Sequence, residues 1–365
     1  MRDIDEIDFE AILDPPPRTG SPAAPAVPKP TAPARAATAE APAATEALPT
    51  GSPTAEAHSP EAPAPLDPED DPEQITYEGA PRAMRVLSVS KSGGFHHIAY
   101  TEWGDPDSPK VALCVHGLSR QGRDFDRVAA ALARKGYRVL CPDLVGRGRS
   151  DRLSDPTEYA LPQYVMDMTA VIARTGATQI DYVGTSLGGL TGILLAGQEK
   201  SPIRQLVVND IGPFLPWSAL HRLGSYIRVM PHGFPDYATA EAYFRTTLSP
   251  FGDLSDEEWR HLTRWSVERT EDGSYRMLCD PRIATAFAPN LLYNLSLWHY
   301  WDAIRCPTLV LRGEYSDLLL SETAEDMTRR GPRATLADIP GCGHAPALLD
   351  DDQVNLIVEW MTRPG

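Results

Sequence analysis

No stretch of this sequence approaches the roughly 18 consecutive apolar residues of a membrane span. No apolar run of about 7 to 15 residues follows its acidic first residues either. Neither a membrane-spanning segment nor a secretory leader is therefore expected. Cysteine is scarce: Cys114, Cys141, Cys279, Cys306 and Cys342 show no C-x-x-C spacing and no pairing with histidine, which argues against a disulfide framework and a zinc site. A reducing, cytoplasmic compartment is the expectation. Positive charge is also thin. The formal net charge is −16, and −12 of it falls in residues 1–80, where sixteen acidic residues face four basic ones. The remaining chain is close to neutral and has no basic stripe, so nucleic acid is not an expected partner.

Large apolar side chains are nearly missing between Pro15 and Pro72, a segment rich in proline and alanine. Such a composition cannot bury enough surface to offset the entropy of ordering it, which predicts a disordered linker. Ahead of it, Ile4, Ile7, Phe9, Ile12 and Leu13 alternate with acids, either as a frayed terminus or as a docking segment for a protein or granule partner. Residues 1–80 are accordingly expected to form an acidic tail outside the folded core.

From Arg85 onward the pattern changes. Residues 85–90 and 96–104 alternate as half-buried strands joined by a turn at Gly93. Short continuous apolar runs then follow at 111–115, 137–143, 179–184, 204–210, 307–313 and 334–340, as suits strands buried on both faces. Helical spacing fills 122–136, 161–176, 189–200 and 321–331. The alternation predicts an α/β fold with a mostly parallel eight-stranded sheet and helices on both faces, opened by an antiparallel hairpin. One segment breaks it. Residues 213–290 read as several short amphipathic helices carrying Trp217, Tyr226, Phe234, Tyr237, Tyr243, Phe244, Phe251, Trp259 and Trp265. This predicts a helical cap inserted after the sixth strand, with 81–212 and 291–365 as the core. Most of these aromatics are expected to pack the cap and the rest to line a largely apolar pocket.

Chemistry enters at Gly184-Thr185-Ser186-Leu187-Gly188, between a predicted strand and a predicted helix. A serine at such a turn stands at the C-terminal edge of the sheet, where open α/β folds bind ligands, and the following helix aims its first N–H groups at developing negative charge. Side chains at 184 or 188 would crowd the turn. A serine hydroxyl needs a base, and the base an orienting acid. His344 in the glycine-flanked loop after the eighth strand is the expected base. Asp317, after the seventh strand, is the expected acid, with Asp210 after the sixth as the competitor and Glu314 as a weaker third. An oxyanion hole would use the backbone N–H groups of Leu187 and Leu118, with the His116 side chain buried and structural. Arg147 and Arg149 are expected to clamp their turn through Asp143 and Asp151.

In this order and spacing, His116-Gly117-Leu118, 142–151, 184–189, 311–317 and 341–346 resemble the α/β-hydrolase fold family, serine-nucleophile branch, over about residues 85–362. The resemblance implies a Ser186, Asp317, His344 triad, a cap over the pocket, no metal and no organic cofactor. Serine at position 186 argues against relatives that open epoxides or remove halides through an aspartyl ester. The activity expected is hydrolysis of a carboxylic ester, lactone or thioester of a small or medium acyl substrate through an acyl-enzyme. A polyester or hydroxyacyl-oligomer depolymerase, a C–C bond hydrolase and a receptor-like ligand-binding protein with little turnover are the alternatives.

Overall fold

The structure is a computed structural model that describes residues 81–287 and 293–363. The tail expected over residues 1–80, its docking segment and the expected end of the insertion at 290 lie outside the described residues.

An eight-stranded sheet organises the chain. Its strands are β1 (Arg82–Val89), β2 (Phe95–Trp103), β3 (Val111–Val115), β4 (Arg138–Pro142), β5 (Ile180–Thr185), β6 (Ile203–Asn209), β12 (Thr308–Gly313) and β13 (Thr335–Ile339), in the order β1-β2-β4-β3-β5-β6-β12-β13. The hairpin is present as expected: β1 and β2 pair antiparallel from Arg82 opposite Glu102 to Val89 opposite Phe95, and Gly93 takes φ 92° in the turn. β2 also runs antiparallel to β4, while every pairing from β4 to β13 is parallel.

Side chains alternate across the sheet, and each face carries its own apolar core. On one face Val111, Leu113 and Val115 of β3 meet Met168 and Val171 of α2 (Leu161–Thr175), Ile193 of α3 (Leu187–Ala196) and Met327 of α8 (Ser321–Arg329). On the other, Ala112 and Cys114 meet Val128 and Leu132 of α1 (Asp126–Arg134) and Ile357 and Met361 of α9 (Asp351–Thr362). The continuous run Val111–Val115 is buried throughout for this reason. Helix α9 is not among the helical stretches read from the sequence. Asp350 caps it by accepting from the N–H groups of Asp352 and Gln353, and Val354, Ile357, Val358 and Met361 form its buried stripe.

Between β6 and β12 lies the insertion. Its helices are α4 (Trp217–Arg228), α5 (Tyr237–Thr247) and α6 (Asp256–Arg264), and α7 (Trp298–Ala303) follows it before β12. It also contains short strands that the helical expectation did not include. β8 (Gly233–Phe234), β10 (Tyr275–Met277) and β9 (Val267–Arg269) form a three-stranded sheet, and β7 (Phe214–Leu215) pairs with β11 (Leu295–Ser296), joining the entry of the insertion to its exit. Among the described residues no helix is long and apolar enough to cross a membrane.

The topology makes one edge special. The chain leaves β3 through α1 toward β4, on one side, and leaves β5 through α3 toward β6, on the other, so a crevice opens above the carboxyl ends of β3 and β5.

Because α9 covers one face of the sheet, Ile357→Ala is expected to lower the free energy of unfolding by about 2–5 kcal/mol. Glu359→Ala, on the exposed side of the same helix, should change it by no more than about 0.5 kcal/mol. Urea denaturation of the two variants measures the difference.

Candidate active site

Strand β5 ends against α3 with Ser186 between them, at φ 52° and ψ −114°. A non-glycine residue in that region is strained, and here the strain lifts the serine out of the sheet edge. Its backbone is held on both sides: the Ser186 N–H donates to the Asn209 carbonyl at 2.9 Å, and its carbonyl accepts from the Leu190 N–H at 2.9 Å. The two glycines are required by space. A Cβ at Gly188 would press into the carbonyl oxygen of Val115, and one at Gly184 into that of Gly188. Helix α3 can therefore start directly above the end of β5.

His344 meets the serine. Its Nε2 lies 2.9 Å from Ser186 Oγ, and its Nδ1 lies 2.7 Å from Oδ2 of Asp210. The expected acid, Asp317, is not there, and the expectation is corrected in favour of its competitor. Asp210 follows β6 directly, at φ 55°, with its own N–H bonded to Leu311 of the neighbouring strand β12, and its side chain is 0% exposed. Besides His344, its carboxylate accepts from the Gly313 N–H at 2.8 Å and the Ser316 hydroxyl at 2.7 Å. The loop after β12 turns tightly, Ser316 N–H to Gly313 carbonyl, and so presents Ser316 inward. Asp317 emerges at the pocket rim, 59% exposed, paired with Arg222 of α4 at 2.8 Å. Glu314, the third candidate, accepts from the Gly341 N–H at the surface.

Asn209 and Ser316 were not singled out from the sequence. The Asn209 amide donates to the Thr185 hydroxyl and the Pro346 carbonyl, tying the end of β5 to the histidine loop. A polar pair closing an apolar strand, Asn209-Asp210, is the signal that could have found both that asparagine and the acid.

The loop after β3 passes beside Ser186, with the α-carbon of Gly117 facing the serine Cβ. His116 is fully buried, as expected. Burial holds its imidazole well below the usual value, to about 3, so it stays neutral at ordinary pH. Its Nε2 accepts from the Leu144 N–H, which leaves Nδ1–H to donate to the Gly117 carbonyl at 2.7 Å. That carbonyl belongs to the same peptide unit as the Leu118 N–H, so fixing one fixes the direction of the other. Leu187, first residue of α3, carries a first-turn N–H with no intrahelical acceptor.

The arginines also differ from expectation. Arg147 does not reach Asp143 or Asp151. Its buried guanidinium donates to the carbonyls of Leu118 (2.9 Å) and Val145 (2.7 Å) and to the Tyr164 hydroxyl, steadying the loop after β3 from beneath. Asp143 instead clamps its turn through the N–H groups of Gly122 and Arg149, and Asp151 accepts from the His97 N–H. The Arg149 guanidinium lies over the Trp265 ring.

Above Ser186 and His344 is a cavity of about 680 Å³, mostly apolar in lining. Of the nine aromatics marked in the insertion, Tyr226 and Phe251 line it, and Phe125 and Tyr315 of the core join them. Phe234, Tyr243 and Phe244 pack on one another instead, with ring centroids 5.3–6.1 Å apart.

Comparison with known proteins agrees with this architecture. The α/β-hydrolase fold family matches residues 111–351. An α/β-hydrolase from Novosphingobium aromaticivorans superposes with a TM-score of 0.68 at 31% identity, over 79% of this chain and 100% of that one. A 3-hydroxybutyrate-oligomer hydrolase of Cupriavidus necator is 42% identical over 291 residues, 78% of this chain and 98% of its own. An esterase of Mycobacterium tuberculosis is 27% identical over 64% of this chain and 75% of its own. The chain belongs to the α/β-hydrolase fold family. It is an enzyme of the carboxylic ester hydrolase type.

The neutral His116 sets a pH dependence. In the unfolded chain it titrates near 6.5, and in the folded protein only near 3. Between those values the unfolded state binds the extra proton, so this residue's contribution to stability falls as pH falls below 6.5, with a limiting slope of about 1.4 kcal/mol per pH unit. The stability difference between wild type and His116→Gln, followed by denaturant unfolding from pH 7 to 5, should therefore shrink as pH falls.

Proposed function

We propose that this enzyme is a serine hydrolase of short hydroxyacyl oligoesters, of the 3-hydroxybutyrate type. The carrying observation is the row Ser186 Oγ, His344 Nε2, His344 Nδ1 and Asp210 Oδ2, closed by contacts of 2.9 and 2.7 Å at the floor of an apolar pocket. The substrate class is supported by the 42% identity with the Cupriavidus necator enzyme over nearly its whole length.

In this reading His344 Nε2 takes the hydroxyl proton as Ser186 Oγ attacks the ester carbonyl. Asp210, holding Nδ1–H, keeps the imidazole in the tautomer whose Nε2 can accept and stabilises the imidazolium once formed. The carbonyl oxygen becomes an oxyanion held by the N–H groups of Leu187 and Leu118, the latter aimed by His116. Collapse breaks the bond to the alkoxy oxygen, which leaves as the hydroxyl of the next unit with the proton from His344. A water molecule, deprotonated by the same imidazole, then attacks the acyl-enzyme, and Ser186 is regenerated with its proton as the hydroxy acid departs. The insertion serves as the cap: α4 and the segment after α5 supply Tyr226, Leu248 and Phe251 to the pocket, where they would cover the methyl groups of the oligomer.

Turnover of 3-hydroxybutyrate dimers and trimers by the purified protein tests the proposal. Ser186→Ala is expected to reduce kcat by at least about a thousandfold. Asp210→Asn should cost at least about a hundred times more in kcat than Asp317→Asn, because only the former leaves His344 without its acceptor. Comparable losses in the two aspartate variants, or turnover surviving in Ser186→Ala, would overturn the assignment.

A further inference from the structure

Two arginines line the pocket, and they differ in what they have left to offer. Arg120, on the loop after β3, is 5% exposed and committed: Nε and Nη2 both contact the Asp124 carboxylate, Nη1 donates to the Ser266 hydroxyl, and Nη2 also reaches the Leu262 carbonyl. It ties the core loop to the end of α6. Displacing it would strip a partly buried carboxylate of its charged partner, which is costly.

Arg222 is held differently. It projects from α4 at the pocket rim, 52% exposed, and its ion pair is with Asp317, itself more than half exposed. Exposed ion pairs contribute little to stability, so an incoming carboxylate can take the place of Asp317 at small cost. The pocket between this rim and Ser186 is mostly apolar.

We infer that Arg222 selects the free carboxylate end of the substrate, with Asp317 as the resident carboxylate that the substrate displaces. The inference rests on the oligoester reading. Such an oligomer is a run of neutral ester units with a single carboxylate at one terminus, so one rim cation with an exchangeable partner recognises that terminus while the apolar lining takes the rest. Guanidinium suits the task, because its planar pair of N–H groups can grip a carboxylate through two parallel bonds. Asp317 is thereby a specificity element and not part of the serine–histidine row. Its negative charge penalises anionic substrates until Arg222 changes partner, so removing Arg222 and removing Asp317 must act in opposite directions.

The experiment compares kcat/KM for the 3-hydroxybutyrate trimer as the free acid and as its methyl ester, in wild type, Arg222→Gln, Arg222→Lys and Asp317→Asn. Arg222→Gln should lower the acid-to-ester ratio about tenfold or more, chiefly through KM of the acid. Arg222→Lys should fall between it and wild type, and Asp317→Asn should raise the ratio. A ratio unchanged within twofold in both Arg222→Gln and Asp317→Asn would overturn the inference and leave the oligoester reading intact. So would a fall of the ratio in Asp317→Asn, since that marks the pair as a latch acting as a unit. If Arg222→Gln does not fold, the sign of the Asp317→Asn change decides alone. Wild-type protein that cleaves neither form would overturn the oligoester reading itself, and the inference with it.

Discussion

The contact on which the rest depends is that of a buried carboxylate with an imidazole. Asp210 has no exposed surface, and burying a carboxylate is tolerated only where its oxygens find donors. Three donors converge on it: the Gly313 N–H, the Ser316 hydroxyl and Nδ1 of His344. They come from β12, the loop after it and the loop after β13, so the acid is a junction between separate parts of the chain. His344 lies in a loop with no regular structure of its own to orient it. Its ring points at Ser186 because its other nitrogen is held.

The sheet supplies the geometry that makes this junction reachable. β6 and β12 are neighbours and parallel, and Asp210 continues β6 by one more bond, its N–H to the Leu311 carbonyl. On the other side β3 lies beside β5, so the loop carrying Gly117 and Leu118 meets the strained turn at Ser186. Groups far apart in sequence gather at one edge because parallel strands all end there together. The strain at Ser186 is held by bonds from Asn209 and Leu190 and by glycines that let α3 sit close over β5.

Much of this was legible in the residues. Continuous runs such as Val111–Val115 suit strands covered on both faces, and Gly184-Thr185-Ser186-Leu187-Gly188 carries its own steric argument. The acid was harder. Asp210 and Asp317 both follow strands at the same edge, and residue type does not say which loop turns inward. Distance from the strand decides: Asp210 comes immediately after Asn209, inside the reach of the ladder, whereas four residues past Gly313 a tight turn has already spent its inward position on Ser316. Arg147 departs from the expectation for a related reason. Nearby aspartates suggested ion pairs, but those carboxylates are taken by backbone N–H groups, which are closer and cannot move away. Helix α9 carries a 3.6-residue stripe at 354, 357, 358 and 361 behind the Asp350 cap, and both are legible in the residues. The short strands of the insertion, two or three residues long, leave too little periodicity to detect.

The proton spectrum of the resting enzyme tests the central contact most directly. An imidazole N–H held by a buried carboxylate resonates far downfield of ordinary amides. The account predicts such a resonance from His344 Nδ1–H in the wild type and in Asp317→Asn, and its loss in Asp210→Asn. A resonance that survives in Asp210→Asn and disappears in Asp317→Asn would contradict it.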